Sequence, residues 1–281
     1  MLFKVGIFAL TLIIGSLAIP AEEDDMSIFF DHTNPDARIV GGSAAGSVPW
    51  MAALTHGFLV RNILCGASII TDRHLLTAAH CIQGVYSGSL SRTLRATVGT
   101  NRWNTGGTHY NIARNITHPH YVHNAIKNDI GILVTSNRIR FTNTISPVTL
   151  SFDNIGPSVA TAVHGWGLTR AGGGHSHRLL ELHAATVDGL FCMIEVSRIA
   201  QQFNIRAPPV EPHLEICTFH SVNHGTCNGD SGSALVRRDN QRQIGIVSWG
   251  VPCARGAPDM FVRISAYRSW IENSINYLYQ Q

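Results

Sequence analysis

Short apolar runs, separated by Gly, Asn and Ser, fill most of the chain from Val48 onward. Runs of about four to eight apolar, β-branched or aromatic residues between turn-forming residues are typical of β-strands. The pattern predicts seven strands, at Met51–Leu54, Ala67–Ile70, His74–Ala78, Leu94–Val98, Ile130–Val134, Val159–Val163 and Ile244–Val247. These strands favour an all-β fold.

Helical periodicity is clear only at the end of the chain. Residues three and four positions apart share one face of a helix, and apolar residues recur at that spacing there. The predicted inner face comprises Tyr267, Trp270, Ile271, Ser274, Ile275 and Leu278. We therefore predict a short amphipathic helix that closes an otherwise all-β protein.

The first 38 residues differ from the rest. Residues 1–20 carry one basic side chain, Lys4, followed by an apolar stretch from Val5 to Ala18. This order is typical of a secretory signal peptide, and the stretch is shorter than the roughly 20 residues of a transmembrane helix. Residues 21–38 are acidic and lack periodicity. We expect an exported protein that does not bind membranes.

Cysteine and histidine usage bears on redox state and metals. The chain has six Cys, an even number that indicates disulfides in an exported protein and allows fifteen pairings. It has no Cys-x-x-Cys pair. Of its 15 His, His118, His120, His175 and His177 form close pairs, and these have no carboxylate or Cys partner at metal-ligand spacing. Residues 99–112 lack Asp and Glu, so calcium binding there is not expected either. We expect no metal.

The charge after residue 38 is basic, with 19 Arg or Lys against 12 Asp or Glu. Only Lys127 among these basic residues is lysine. Because arginine keeps its charge where lysine titrates, one hypothesis is that the protein works in an alkaline lumen. A bias of codon usage or lineage explains the composition equally well. The arginines are scattered, which disfavours nucleic-acid binding.

The most informative stretch is Gly225-Thr-Cys-Asn-Gly-Asp-Ser-Gly-Ser233, in which Ser231 lies between glycines. A serine hydroxyl becomes a useful nucleophile only when a base takes its proton. A candidate base is His80, in Thr-Ala-Ala-His-Cys, and a candidate orienting acid is Asp129, in Asn-Asp-Ile-Gly. These segments predict nucleophilic catalysis by a serine.

In the order His80, Asp129, Ser231, the three segments resemble the chymotrypsin-like serine proteases over residues 39–275. In type, the chain is most similar to arthropod chymotrypsin-like and collagenolytic digestive proteases. The resemblance implies an all-β fold of two packed six-stranded antiparallel β-barrels, with the cleft between them and a C-terminal helix. It implies a secreted serine endopeptidase that needs no cofactor.

Roles of single residues follow from the same resemblance. It implies that Ser231 attacks the scissile carbonyl, His80 acts as base and Asp129 orients the imidazole. The N–H groups of Gly229 and Ser231 would form the oxyanion hole. Ser233 departs from the pattern, because relatives usually have glycine there.

The resemblance also implies activation by cleavage after Arg38. The new α-amino group of Ile39 would turn inward and pair with Asp230. This divides the chain into a signal peptide (1–20), an activation propeptide (21–38) and a protease domain (39–281). The implied partners are an activating protease, protein or peptide substrates and protein inhibitors of proteases, and we expect a monomer.

For the cysteines, the resemblance selects the pairs Cys65–Cys81, Cys192–Cys217 and Cys227–Cys253. The span between Cys192 and Cys217 is longer than usual in relatives. We therefore expect a surface insertion near the cleft at Ser197–Pro212.

Substrate preference depends on the expected pocket residues Gly225, Ser248, Trp249, Gly250 and Asp259. Trypsin-like enzymes have Asp at the pocket base, where this chain has Gly225. Asp259 would instead lie on the pocket wall, either attracting Arg and Lys side chains or neutralised by Arg255 or water. We favour a broad chymotrypsin-like preference, with a trypsin-like one as the alternative.

Four further points complete the prediction. Asn115 opens the chain's one Asn-x-Ser/Thr sequon and is a weak candidate for glycosylation. A digestive role in a gut lumen fits the signal peptide and the short propeptide. The alternative from another class is a non-catalytic protease homologue that acts as a binding protein. An α/β-hydrolase is disfavoured, because Gly-x-Ser-x-Gly fails at Ser233.

Overall fold

The computed structural model describes residues 42–167, 175–222, 224–226, 229–251 and 256–276. The predicted signal peptide and propeptide, with the junction at Arg38 and Ile39, lie outside these residues. The strands are β1 (Ser43–Ala44), β2 (Met51–His56), β3 (Asn62–Ile69), β4 (His74–Thr77), β5 (Tyr86–Ser87), β6 (Ser89–Leu90), β7 (Arg95–Val98), β8 (Thr108–Thr117), β9 (Gly131–Thr135), β10 (Ala160–Gly165), β11 (Leu180–Thr186), β12 (Glu215–Phe219), β13 (Ala234–Arg237), β14 (Gln243–Trp249) and β15 (Asp259–Arg263). The helices are α1 (Ala79–Gln83), α2 (Gly189–Gln202) and α3 (Arg268–Asn276), and short 3-10 turns lie at His123–Ala125 and Ile264–Tyr267.

The first barrel is closed in the order β2-β3-β4-β9-β8-β7, and all its pairings are antiparallel. Its interior is filled by fully buried aliphatic side chains, among them Leu54, Ile69, Leu75 and Ile132. Closure leaves no free strand edge, so the backbone groups of these strands are paired within the barrel.

The second barrel runs β11-β10-β13-β14-β15-β12 and closes through the pairing of β11 with β12. Strand β1 adds to the outer edge of β11. Val163, Leu182, Leu235 and Phe261 pack inside it. The predicted fold class of two six-stranded antiparallel barrels is therefore confirmed, and all seven predicted strands are present.

The sequence pattern did not predict five of the strands that have four or more residues: β8, β11, β12, β13 and β15. In β8 the reason is visible, because the strand has no apolar run and polar residues, among them Arg114 and Asn115, separate its apolar positions. Its apolar side chains Tyr110, Ile112 and Ile116 nevertheless pack against the core of the first barrel, and a register shift between Ile112 and Arg114 interrupts their alternation.

Helix α2 was not predicted. It starts at an Asp188 cap, whose Oδ1 accepts hydrogen bonds from the N–H groups of Leu190 and Phe191 at 2.9 and 3.3 Å. Its apolar residues lie on more than one face, since Leu190 and Ile194 are exposed while Val196 is buried, which hides the helical period. The expected insertion begins within the end of this helix.

The C-terminal helix is confirmed as α3. Ile271 and Ser274 of the predicted inner face are buried, and Tyr267 lies in the preceding 3-10 turn. Leu278 lies outside the described residues. Among the described residues, no helix combines the length and apolarity that crossing a membrane requires.

Candidate active site

The barrel pairing brings His80 and Asp129 together. Strand β4 ends at Thr77 opposite Gly131, the first residue of β9, so α1 and the two residues before β9, Asp129 and Ile130, meet at one barrel end. There His80 Nδ1 lies 2.8 Å from Asp129 Oδ2, and the His80 N–H donates to Asp129 Oδ1 at 2.8 Å. Two contacts fix both the position and the ring plane of the histidine.

The carboxylate of Asp129 is buried and negatively charged. Burial alone would raise its pKa, but the charge of His80 and hydrogen bonds from His80 and Ser248 outweigh it and hold the pKa below its usual value. Ser248 Oγ donates to Asp129 Oδ2 at 2.6 Å. An ionised Asp129 selects the tautomer with a proton on Nδ1 of His80, which leaves Nε2 as the ring's acceptor.

The turn that carries Ser231 lies against β3 and the end of β4 in the first barrel. The Ser231 carbonyl accepts from the N–H of Gly66 at 2.8 Å. Gly232 has φ +79°, and a Cβ there would overlap Thr77 Oγ1 and lie 3.3 Å from the Ala78 N. The structure thus joins the predicted nucleophile segment to the strand that leads into His80.

The two residues before Ser231 occupy tight, buried positions. Gly229 has φ +96°, and a Cβ there would lie 2.6 Å from His175 Nδ1. The fully buried Asp230 accepts from the N–H of Gly167 at 2.9 Å, and a Cβ on Gly165 or Gly167 would overlap its carboxylate. Only glycine at these two positions leaves room for the acid.

Ser233, the departure from the family pattern, is fully buried, and its Oγ has no hydrogen-bond partner among the described residues. A buried hydroxyl without a partner costs free energy. We therefore expect Ser233→Ala to raise the free energy of unfolding by about 1 kcal/mol. For a domain of this size, that change raises the melting temperature by about 2–4 °C. Differential scanning fluorimetry measures this shift.

The matched control is Ser68→Ala, because the equally buried Ser68 Oγ donates to Gln243 Oε1 at 2.7 Å. That exchange leaves an acceptor unpaired and should lower the melting temperature. A lower melting temperature for Ser233→Ala would contradict the assignment of an unsatisfied hydroxyl.

Two predicted disulfides, Cys65–Cys81 and Cys192–Cys217, are formed. Cys227 and Cys253 of the third pair lie outside the described residues. Cys65, Cys81 and His80 lie close enough to hold a metal ion. However, both sulfurs belong to the disulfide and supply no thiolate, so the group does not fit a metal site. The disulfide instead ties α1 to β3.

The expected pocket residues lie together in the second barrel. Asp259 Oδ2 accepts from the N–H of Thr226, the neighbour of Gly225, at 2.9 Å. A Cβ on Gly250 would lie 3.7 Å from Asp259 Oδ1. Burial raises the pKa of Asp259 to about 7, although hydrogen bonds from Thr226 oppose the shift. Arg255 lies outside the described residues.

Two site residues have contacts that sequence reasoning missed. Ser248, expected only as a pocket residue, directs its hydroxyl to Asp129. Trp249, which follows it, donates from Nε1 to Glu215 Oε1 at 2.8 Å. Both partners are distant in sequence, and no local motif marks them.

Asn115 of the sequon lies within β8, where it pairs with Leu133 and is half-buried. Its glycosylation stays a prediction.

Two barrels that hold a buried His–Asp pair against a glycine-flanked serine define the class of chymotrypsin-like serine endopeptidases. The trypsin family model matches residues 39–271. The chain is 30% identical to trypsin alpha-4 of Lucilia cuprina, over 84% of this chain and 87% of that protein. It is 31% identical to chymotrypsin-2 of Vespa crabro, over 84% of this chain and 99% of that protein. The chain belongs to the trypsin family and is a serine protease of insect type.

Proposed function

We propose that the chain is a secreted serine endopeptidase, made as a zymogen, that cleaves peptide bonds through an acyl-enzyme on Ser231. The observation that carries this proposal is the buried, ionised Asp129 bound to His80 through both the ring and the backbone. A histidine held in this way can take a proton at Nε2 while the nearby carboxylate stabilises the imidazolium.

The proposed steps follow acyl transfer. Ser231 Oγ attacks the substrate carbonyl as His80 takes its proton, and the oxyanion is stabilised by the N–H groups of Gly229 and Ser231. His80 returns the proton to the leaving amine, which departs and leaves the acyl-enzyme. Water then enters, loses a proton to His80 and attacks the ester. The ester bond breaks, the acid is released, and His80 gives the proton to Ser231 Oγ, which restores both residues.

Activation is proposed to follow cleavage after Arg38. The family match begins at Ile39, directly after this residue. Asp230 is fully buried, and a buried carboxylate is very costly unless a cation and hydrogen bonds compensate for it. The new ammonium of Ile39 would supply that cation and order the turn next to Ser231.

For specificity we propose a broad chymotrypsin-like preference. Gly225 at the pocket base carries no charge, and Asp259 has a pKa of about 7, so it is largely protonated in mildly acidic solution. A protonated acid does not select cations, and Leu, Phe and Tyr side chains can fill the pocket. The second candidate, a trypsin-like preference, is favoured by the same residue, because Asp259 becomes an anion above pH 7.

These two candidates predict a pH-dependent preference. We expect the ratio of kcat/KM for Arg over Leu at the cleaved position to rise as the pH increases from about 6 to about 8, because Asp259 loses its proton in that range. The two substrates differ only in that residue, so any pH dependence of the catalytic steps that they share cancels in the ratio. Hydrolysis of matched peptide amides measures it.

Asp259→Asn is the control, since it keeps the shape of the side chain but cannot ionise. Its ratio should be independent of pH and should favour Leu. A wild-type ratio that stays flat over the same pH range would show that Asp259 does not act on the substrate.

A digestive role is proposed from the predicted signal peptide, the short propeptide and the insect relatives. We propose a monomer that acts in a gut lumen and meets an activating protease, dietary proteins and protein inhibitors. A non-catalytic homologue is disfavoured because His80, Asp129 and Ser231 are all present.

The test of the proposed function is a profile of cleaved peptide bonds after activation at Arg38. We expect cleavage after Leu, Phe and Tyr, and slow self-cleavage of the pure zymogen at Arg38. Rapid self-activation, with cleavage confined to Arg and Lys, would favour the trypsin-like candidate. A correctly processed, folded protein that cleaves no peptide would overturn the proposal.

A further inference from the structure

A cavity lies on the outer side of the first barrel, between α1 and β8. The residues that line it come from α1, β5, β8 and the turn after β8: Ile82, Gln83, Tyr86, Asn115, Thr117 and Tyr121. Its volume is about 370 Å³. Pockets that hold small molecules in proteins have volumes of about 300–1,000 Å³, so the cavity has the size of a binding site for a small ligand.

The cavity contains both defining residues of the chain's one Asn-x-Ser/Thr sequon, Asn115 and Thr117. Successive side chains of a strand point to opposite faces, so these two share the outer face of β8, whereas Ile116 between them packs against the barrel core. The pairing of β7 with β8 ends at Asn111, so the sequon lies beyond it, next to α1. Both sequon side chains therefore face the cavity.

The fold uses the backbone of Asn115 but not its side chain. The residue is paired with Leu133 of β9, which fixes its position in the strand. Its side-chain amide has no hydrogen-bond partner among the residues that the structure describes. A sugar can thus replace one hydrogen of the amide nitrogen without breaking a contact that the fold needs.

The walls of the cavity suit the first sugar of an N-glycan, which is N-acetylglucosamine. Tyr86, with 49% of its surface exposed, and the half-buried Tyr121 offer aromatic faces on which the C–H face of a sugar ring can pack, and each carries a hydroxyl at its edge. The exposed Gln83 can donate to an acetamide group and accept from it. The cavity thus combines apolar surface with polar groups at its rim.

The helix on the other side of the cavity carries His80. Helix α1 has only five residues, and no side chain caps its first turn, so it depends on its neighbours for stability. The Cys65–Cys81 disulfide ties it to the barrel. Ile82 lies between the cavity and Gly131, where a Cβ would be 2.5 Å from Ile82 Cδ1. A ligand in the cavity would hold α1 from its outer side.

We propose that Asn115 carries an N-glycan whose first N-acetylglucosamine lies in this cavity and stabilises α1. In the modification, Asn115 Nδ2 forms a bond to the anomeric carbon of the sugar and loses a proton. The bond between that carbon and the pyrophosphate of a lipid-linked oligosaccharide donor breaks. The inference rests on the proposed secretion, because the donor is met on the secretory pathway, and not on the proposed proteolysis.

The test uses the zymogen secreted from insect cells in three forms: with its full glycan, with the glycan trimmed by an endoglycosidase to one N-acetylglucosamine, and as the sugar-free Asn115→Gln variant. Peptide mass mapping measures the occupancy of Asn115. We expect the single-sugar form to melt about 2–4 °C above the sugar-free variant. The full glycan should add no further shift, because only its first sugar occupies the cavity.

The matched controls are Tyr86→Phe, which keeps the aromatic ring, and Tyr86→Ser, which removes it. The difference between the single-sugar and sugar-free melting temperatures should persist with Phe and disappear with Ser, and any effect of Asn115→Gln itself is common to all backgrounds. If Tyr86→Ser does not accumulate, Gln83→Ala should reduce the difference.

An unmodified Asn115 in the secreted protein would overturn the proposal, as would a sugar that leaves the melting temperature unchanged. Equal differences in the Phe and Ser variants, or an undiminished one in Gln83→Ala, would do the same. No measurement in this series uses a substrate, so failure of the endopeptidase function would leave its outcome unaffected.

Discussion

Ser231→Ala is expected to lower kcat of the activated enzyme by about 10⁵- to 10⁶-fold, because no other described group in the turn offers an oxygen nucleophile with a base at hand. Binding of substrate should change little, since the exchange removes one oxygen atom. Hydrolysis of a chromogenic peptide amide, with protein processed after Arg38, measures the loss.

The matched control is Ser269→Ala, an exposed serine on α3 that should leave kcat unchanged. His80→Ala should lose about as much activity as Ser231→Ala, and the double variant should lose no more than either single one, because the residues act as a unit. Losses that multiply in the double variant would show two independent contributions and would refute the shared mechanism.

Asp129→Asn is expected to lower kcat by about 10⁴-fold, the size known for this exchange in the family's triad. The NH2 group of an Asn side chain can donate to His80 Nδ1, whereas a carboxylate can only accept from it. The tautomer of His80 with its proton on Nδ1 is then no longer the one selected. The loss should appear in kcat and not in KM, and steady-state kinetics at one pH suffices to measure it.

Asp239→Asn provides the control, because it removes the same charge from an exposed pair with Arg237. Exposed pairs contribute little, so its kinetics should match those of the wild type. An Asp129→Asn enzyme that keeps more than about a tenth of the activity would contradict the tautomer-setting role of Asp129.

The candidate catalytic residues and seven of the strands could be predicted from sequence because their signals are local. A serine between glycines, a histidine beside a cysteine and an acid before an apolar strand each occupy fewer than ten residues. The strands that were predicted have apolar runs of their own, as at Met51–Leu54. Strand β8 has none, because polar residues separate Tyr110, Ile112 and Ile116, which pack against the barrel core.

The contacts that orient the triad were not predictable, because their partners are far apart in sequence. Ser248 Oγ meets Asp129 across 119 positions, and Lys127 meets Glu215 across 88. Lys127 was noted only as the single lysine after residue 38, a fact of composition that carries no partner. Helix α2 was missed for a different reason, since its exposed Leu190 and Ile194 obscure the inner face.

For the expected pocket residue Asp259, too, the residue could be named from the sequence but its contacts could not. The sequence identifies Asp259 as an acid among apolar neighbours, but its protonation depends on burial and on the Thr226 contact, which only the fold supplies.

The central claim, that His80 and Asp129 activate Ser231, is tested most directly by a fluorophosphonate probe on the activated protein. Mass spectrometry of the digested adduct should find the phosphonyl group on Ser231 alone, with labelling absent in Ser231→Ala and strongly slowed in His80→Ala. An activated, folded protein that takes up no probe, or that takes it up equally well without His80, would contradict the claim.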